Sequence, residues 1–435
     1  MKIFIFSFFL WSTLAASPLQ LIKKGSPDAN ATLLVIGGIH GNEPGGYFAA
    51  SILATHYKIL SNALWIVPNL NQQSIQANKR GIHGDMNRKF AHISPKDPDY
   101  PYVEAIKQTI LAPEVSLILN LHDGHGFYRK KNEGSIFNPK AWGQTCVIDQ
   151  CHLNAHNKFA DLDAIANSVK ENINKKLIKK HHSFNVKNTN TKFDDEEMQN
   201  SLTYFAITHK KPALAIETSK NLRTLEEKVF YQLIAIEEFM HITGIKFKRD
   251  FPINLSTIRQ ILHNYGKLRI NDNIIINLSN IKKTLSFIPI KSEDNTFLFT
   301  HPLGSVRVTK SKTTLVFIGN KLVTTLKPQF FKDAKECPRE FNVYENKHRK
   351  TYPAASEFFV KDDFKIEKQN GIRVNIIGYS SKFKNESGVI VKRSDLQKRY
   401  AIDRNNSTYR VEFYKDGRFC SMSLVHFEKG KKDNE

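Results

Sequence analysis

Ala31-Thr32-Leu33-Leu34-Val35-Ile36-Gly37-Gly38-Ile39-His40-Gly41-Asn42-Glu43-Pro44-Gly45-Gly46 decides the reading of the chain. Residues 31–36 form an almost unbroken apolar run, as expected of a strand buried on both faces of a parallel sheet. The glycines end it, and a helical pattern follows over 47–60. His40 and Glu43 therefore fall just beyond the carboxyl end of a strand, where open α/β sheets gather ligands. A His and a Glu three apart, in a turn that opens a helix, can point at one metal ion. Glycines on either side allow the sharp turn and the close approach such a site needs.

The same alternation continues outward. Strand-like runs lie at 64–67, 115–121 and 213–216, and helical patterns at 102–111, 161–179 and 225–242. This order predicts an α/β domain: a mixed, largely parallel sheet with flanking helices. The run at 115–121 leads into His122-Asp123-Gly124-His125. His122, nearer the strand end than His125, supplies a third ligand at the same rim. Two His and one Glu leave a fourth coordination position open, as in catalytic zinc sites. Asp123 is either a partner behind a ligand or turn chemistry. The run at 213–216 ends on Glu217, and a carboxylate there is costly unless paired or functional. Beside a metal it can take a proton from water and pass it to a leaving amine. In Arg80-Gly81-Ile82-His83-Gly84-Asp85-Met86-Asn87-Arg88, Asn87 and Arg88 offer an amide and a planar fork to a carboxylate. Arg80 can face a carbonyl oxygen where negative charge grows.

As a set, these residues resemble the carboxypeptidase A-like zinc peptidases over residues 17–246. The resemblance implies His40, Glu43 and His122 as ligands of Zn2+ and Glu217 as the base. It implies Asn87 and Arg88 as the clamp on the substrate's terminal carboxylate, with Arg80 stabilising the oxyanion. The family's substrate-capping tyrosine has no clear counterpart; Tyr204, with Thr203 before it, is the substrate-binding candidate. More narrowly, the layout resembles the peptidoglycan tripeptide DL-carboxypeptidases that determine helical cell shape. That resemblance implies a periplasmic enzyme that trims muropeptide tripeptide stems to dipeptides, releasing meso-diaminopimelate. A zinc amidohydrolase of aspartoacylase type and a non-catalytic wall-binding protein are the alternatives.

The chain's 435 residues exceed one ordinary core, and 40% hydrophobic residues suffice for several. The N-terminus is basic, then apolar, then small-residued, as in a cleaved secretory signal peptide over 1–17; no stable membrane anchor is expected. The peptidase domain is expected over 18–247. Beyond the basic stretch at 246–252 the pattern turns to short alternating runs. These predict a small β-barrel-like domain over 248–338 and an immunoglobulin-like sandwich over 339–435. The net charge of +22 favours polyanions, here wall components, and no nucleic-acid motif is present. Of the cysteines at 146, 151, 337 and 420, Cys146 and Cys151 are close enough to close a small loop, or remain thiols.

Overall fold

The computed structural model describes residues 19–155, 157–345 and 348–428, so the expected leader at 1–17 lies outside the described residues. β1 (Ile22–Gly25), β2 (Thr32–Ile36), β3 (Ala63–Val67), β4 (Val115–Gly124), β5 (Thr145–Ile148), β6 (Asn185–Asn188) and β7 (Ala213–Ser219) lie side by side as β1-β3-β2-β4-β7-β5-β6. The central strands β3, β2, β4 and β7 are parallel, and β1 and β5 run antiparallel to their inner neighbours. The helices include α1 (Pro44–His56), α2 (Tyr100–Leu111), α3 (Leu162–Asn174), α4 (Leu202–Thr208) and α5 (Leu225–Ile242). The expected α/β domain with a mixed, largely parallel sheet is what forms.

β2 and β3 are buried at every position, which is why they read as plain apolar runs. The outer strands β1 and β6 are short, mostly polar and partly or fully exposed at every position, and carry no such signal. The register matters more than the composition. β4 and β7 run beyond their apolar runs, so that Ala215 stands beside Asn120, Glu217 beside His122 and Thr218 beside Asp123. Side chains alternate along a strand, so Asn120, His122, Ala215 and Glu217 share one face. α5 closes the domain behind them; its start is fixed by a capping box between Thr224 and Glu227.

After residue 250 the chain is mainly β, as expected. Strands Lys267–Ile270, Ile274–Asn277 and Phe297–Phe299 share a sheet with Ile372–Ile376, Thr408–Lys415 and Arg418–Phe427. Ile274 pairs with Met422 at the join. Thr284–Ile290, Gly304–Val308, Thr314–Ile318 and Lys321–Phe330 make a second sheet. Glu340–Glu345, His348–Pro353, Asp363–Ile366 and Ile390–Lys392 make a third. Between this third sheet and the shared one lies a separate core that includes Phe341, Phe358, Phe364, Val411 and Phe413, a sandwich arrangement.

Glu357 ties the β units together. Its side chain is 5% exposed and takes hydrogen bonds from Asn277 (3.1 Å) and His426 (3.1 Å), and it pairs with Lys267. Burial opposes its ionisation, but bonds from His426, Lys267 and Asn277 outweigh that and hold its pKa down to about 2. A depressed folded pKa stabilises the fold above the unfolded value of about 4.3, and the contribution fades as pH falls toward 2. Glu357→Gln should therefore melt below the wild type near neutral pH, with the gap closing as pH is lowered. A gap that is constant with pH in thermal melts would refute this.

Of the two readings open for Cys146 and Cys151, the structure holds the thiols. The disulfide joins Cys337 to Cys420, across 83 residues, while Cys146 and Cys151 are free. Cys146 is buried within β5 and Cys151 lies exposed beyond its end, so the short loop between them is never closed. Burial pushes the Cys146 thiol well up. The observed bridge encloses a long loop, and its removal should cost about 2–5 kcal/mol. The Cys337→Ala/Cys420→Ala double variant should show that loss by denaturant titration, and an unchanged midpoint would contradict it.

Candidate active site

The loop after β2 is shaped by what it passes. Gly38 has φ +78°, and a Cβ on Gly41 would lie 2.0 Å from the Ser74 carbonyl. Only glycine allows the loop to lie this close to the neighbouring backbone, and that seating carries His40 inward. Glu43 follows as the residue before α1. His40, Glu43 and His122 are 2%, 4% and 4% exposed. One ligand atom from each lies within 4.8 Å of the others.

The hydrogen bonds fit a cation. His40 Nε2 lies 2.8 Å from Asp85 Oδ1, so this ring nitrogen is the one that donates to the carboxylate and Nδ1 faces the other way. That Nδ1 is buried without a hydrogen-bond partner, 3.1 Å from Glu43 Oε1. His122 Nδ1 lies 2.9 Å from Glu43 Oε2. An orphaned imidazole nitrogen facing a carboxylate and a second imidazole is a donor set suited to a divalent metal, with Asp85 orienting the first ligand. Burial works against the Glu43 charge, but His40 and His122 more than compensate and hold its carboxyl well below the usual range.

Around this triad opens a cleft of about 360 Å³. His40, Glu43, Arg80, Asn87, Arg88, His122, Thr203 and Glu217 all line it; Tyr204 does not. Glu217 is pushed well above the usual carboxylate range, first by burial and then by the charges of Glu43 and Asp123. Arg80 Nη1 lies 3.4 Å from Glu43 Oε1, and its Nε donates to Asp85 at 2.8 Å. Asp85 also accepts from Asn87 N at 2.9 Å, so one carboxylate sets His40, Arg80 and the turn carrying Asn87 and Arg88. Asn87 Oδ1 accepts from Leu202 N at 2.9 Å, which turns its amide nitrogen away from α4. Arg88 Nε donates to Glu197 at 2.9 Å.

Of the two readings of Asp123, the hydrogen bonds favour a partner role behind Glu43 and His122 over turn chemistry. It accepts from Gly45 N at 2.8 Å and from the Thr218 hydroxyl, tying the start of α1 to β7 behind Glu43 and His122. Burial raises its pKa to about 6. His125 stays exposed at the rim. Sequence reasoning missed Lys220, which donates to Glu43 at 3.3 Å, and the cleft residues Asn120, Trp142, Asp195 and Glu197. For Lys220 a signal existed, since it lies three residues after Glu217 at the end of the same strand. For Trp142, Asp195 and Glu197 there was none, because they come from loops.

A buried His-Glu-His cluster suited to a metal, facing a guanidinium and an amide with a strand-end glutamate beside it, suits a metal-dependent carboxypeptidase. Residues 1–263 match the family model described as the catalytic carboxypeptidase controlling helical cell shape, and residues 334–428 match the C-terminal domain of metallo-carboxypeptidase. The chain belongs to this family of cell-shape metallo-carboxypeptidases. Apo cell shape determinant protein Csd4 from Helicobacter pylori is 35% identical, with a TM-score of 0.88 over 94% of this chain and 100% of that one. Its tripeptide-bound form, and its mDAP-bound form described as a D,L-carboxypeptidase, match with the same values. No match is found among curated protein sequences. Among the described residues no helix is long and apolar enough to cross a membrane.

Proposed function

We propose that the protein is a periplasmic, zinc-dependent DL-carboxypeptidase that trims peptidoglycan tripeptide stems to dipeptides by releasing meso-diaminopimelate. The observation that carries this reading is the gathering of His40, Glu43, His122, Arg80, Asn87, Arg88 and Glu217 in one cleft. The tripeptide- and mDAP-bound forms of the H. pylori relative support the choice of substrate. The secretory leader expected over 1–17 and a net charge of +22 suit an anionic wall outside the cytoplasm.

His40, Glu43 and His122 would hold the metal. Bound zinc supplies Lewis-acid chemistry, making water more acidic and polarising a carbonyl. The remaining work falls to the chain's own side chains. Arg88 and the free amide of Asn87 grip the terminal carboxylate of the tripeptide, for which Arg88 must give up Glu197. Arg80 faces the scissile carbonyl oxygen as charge develops on it. Glu217 takes a proton from the attacking water and returns it to the departing amine. Thr203 belongs to the wall of the same cleft, and nothing in its geometry recommends Tyr204 as a cap.

The clamp makes a sharp demand on the substrate. A muropeptide tripeptide whose terminal carboxylate is amidated should resist cleavage while the free acid is cut, followed by chromatography of the products. Equal cleavage of both, or hydrolysis of N-acyl-aspartate in place of muropeptides, would overturn this reading and favour an amidohydrolase.

A further inference from the structure

Away from the metal cleft, a second cavity opens where the small β unit meets the C-terminal strands. It measures about 220 Å³, with Ser286 and Phe287 on one side and Arg399, Tyr400 and Arg410 on the other. Backbone pairing stitches its two walls together. Lys282 N donates to the Ile402 carbonyl at 2.8 Å and Arg404 N to the Asn280 carbonyl at 2.9 Å. Lys282 Nζ adds a bond of 2.8 Å to the Lys398 carbonyl. The cavity is therefore preformed, as small-ligand sites usually are.

Two features of it call for a ligand. The first is Arg410, which is 4% exposed and whose Nε is buried without a hydrogen-bond partner among the described residues. An open donor on a buried charge is costly. Arg410 Nη1 donates to the Phe287 carbonyl at 2.9 Å. Glu412, two residues along the same strand, does not close on the guanidinium. Its Oε1 stays 3.6 Å from Nη1 and is itself without a hydrogen-bond partner, while Oε2 takes the Tyr414 hydroxyl at 2.7 Å. Burial raises the Glu412 pKa against the pull of Arg410, so the guanidinium has no well-matched counter-charge.

The second feature is Phe287. The pairing of Thr284–Ile290 with Lys321–Phe330 shifts register between Leu285 and Ile288, a bulge of the kind that re-aims side chains beside functional sites. Phe287 has φ +59° and is 62% exposed. A bulky side chain in the left-handed region carries strain, and such strain gathers at ligand sites. On the facing wall the Arg399 guanidinium lies over the Tyr400 ring at 4.8 Å. Two guanidiniums and two aromatic rings thus line one small cavity. Guanidiniums fork onto carboxylates, and exposed aromatic faces offer an apolar platform to the C–H face of a sugar ring. The cavity is smaller than the roughly 300–1,000 Å³ of drug-sized sites, so it suits one ring unit and not a strand.

We propose that this cavity is a second, non-catalytic site that binds a single sugar bearing a carboxylate, with the anion held by Arg410 and Arg399 and the ring packed on Phe287. N-acetylmuramic acid is such a sugar. Its lactyl carboxylate is free wherever a peptide stem has been removed from a glycan strand. The choice of a wall sugar rests on the wall-directed reading above. The site would hold the enzyme on glycan while the metal cleft works on neighbouring stems.

The test is calorimetric titration of metal-loaded full-length protein with N-acetylmuramic acid, beside N-acetylglucosamine and D-lactate. The wild type should bind N-acetylmuramic acid at least about 10-fold more tightly than the sugar without the carboxylate or the carboxylate without the sugar. Arg410→Met should weaken that binding by about 10- to 100-fold. Should this variant fail to fold, two others carry the test. Phe287→Gly accepts the positive φ and removes the ring, and Arg399→Gln lies at the exposed mouth. Each should weaken binding by about 2- to 10-fold and still cleave muropeptide tripeptide at the wild-type rate. Unchanged affinity in the folded variants, equal binding of the three compounds, or no binding by the wild type would overturn the proposal. Turnover lost together with binding would also overturn it, by placing the sugar in the metal cleft. The two readings fail separately. Binding of the sugar without cleavage of tripeptide removes the peptidase assignment, and cleavage without binding removes this site.

Discussion

Glu217→Gln should retain the metal at the wild-type level and lower kcat on muropeptide tripeptide by about 10²- to 10⁴-fold, the usual worth of a positioned general base. The two parts of this result have separate causes. Glu217 is not among the residues whose ligand atoms converge within 4.8 Å, so the cradle does not need its charge. It stands one strand away, in register with His122, where it can reach water and a leaving amine. Glutamine keeps its volume and one oxygen but cannot hold a proton through the reaction. Metal analysis of the purified variant, beside its turnover, checks the assignment. Metal loss comparable to that of a ligand variant would show Glu217 to be a ligand and not the base.

His122→Ala should lose both metal and turnover. The substitution removes one nitrogen of the cradle and strips Glu43 of its 2.9 Å partner. Changing a residue behind a ligand typically costs 10- to 100-fold in metal affinity, so loss of a ligand should exceed that. The uncompensated carboxylate also counts, because Glu43 is 4% exposed and breaking one side of a buried pair costs about 3–5 kcal/mol. The variant should therefore melt below the wild type even without metal. Retention of metal at the wild-type level would remove His122 from the site and return attention to His125.

The sequence made the central strands legible because burial on both faces leaves an unbroken apolar run, as in Leu33 to Ile36. It placed His40, Glu43, His122 and Glu217 at one rim because parallel strands end together. The edge strands β1 and β6 escaped notice, since half-exposed lysines and asparagines look the same in a strand as in a loop. Asn120 was invisible for another reason. Its residue type suits any strand-end polar group, and only the folded structure shows it buried in the cleft opposite Ala215 with its amide unpaired. The disulfide was likewise hidden: Cys337 and Cys420 are 83 residues apart, and spacing favoured the nearer pair. The role of Asp85 depends on a bond to His40 spanning 45 residues, which no local pattern announces.

The most direct test of the central claim is mass spectrometry of purified muropeptides incubated with the protein, with and without a chelator. The account predicts conversion of tripeptide to dipeptide with release of diaminopimelate, abolished by the chelator and restored by zinc. Unchanged tripeptide in the presence of protein with zinc confirmed bound, or conversion indifferent to the chelator, would contradict it.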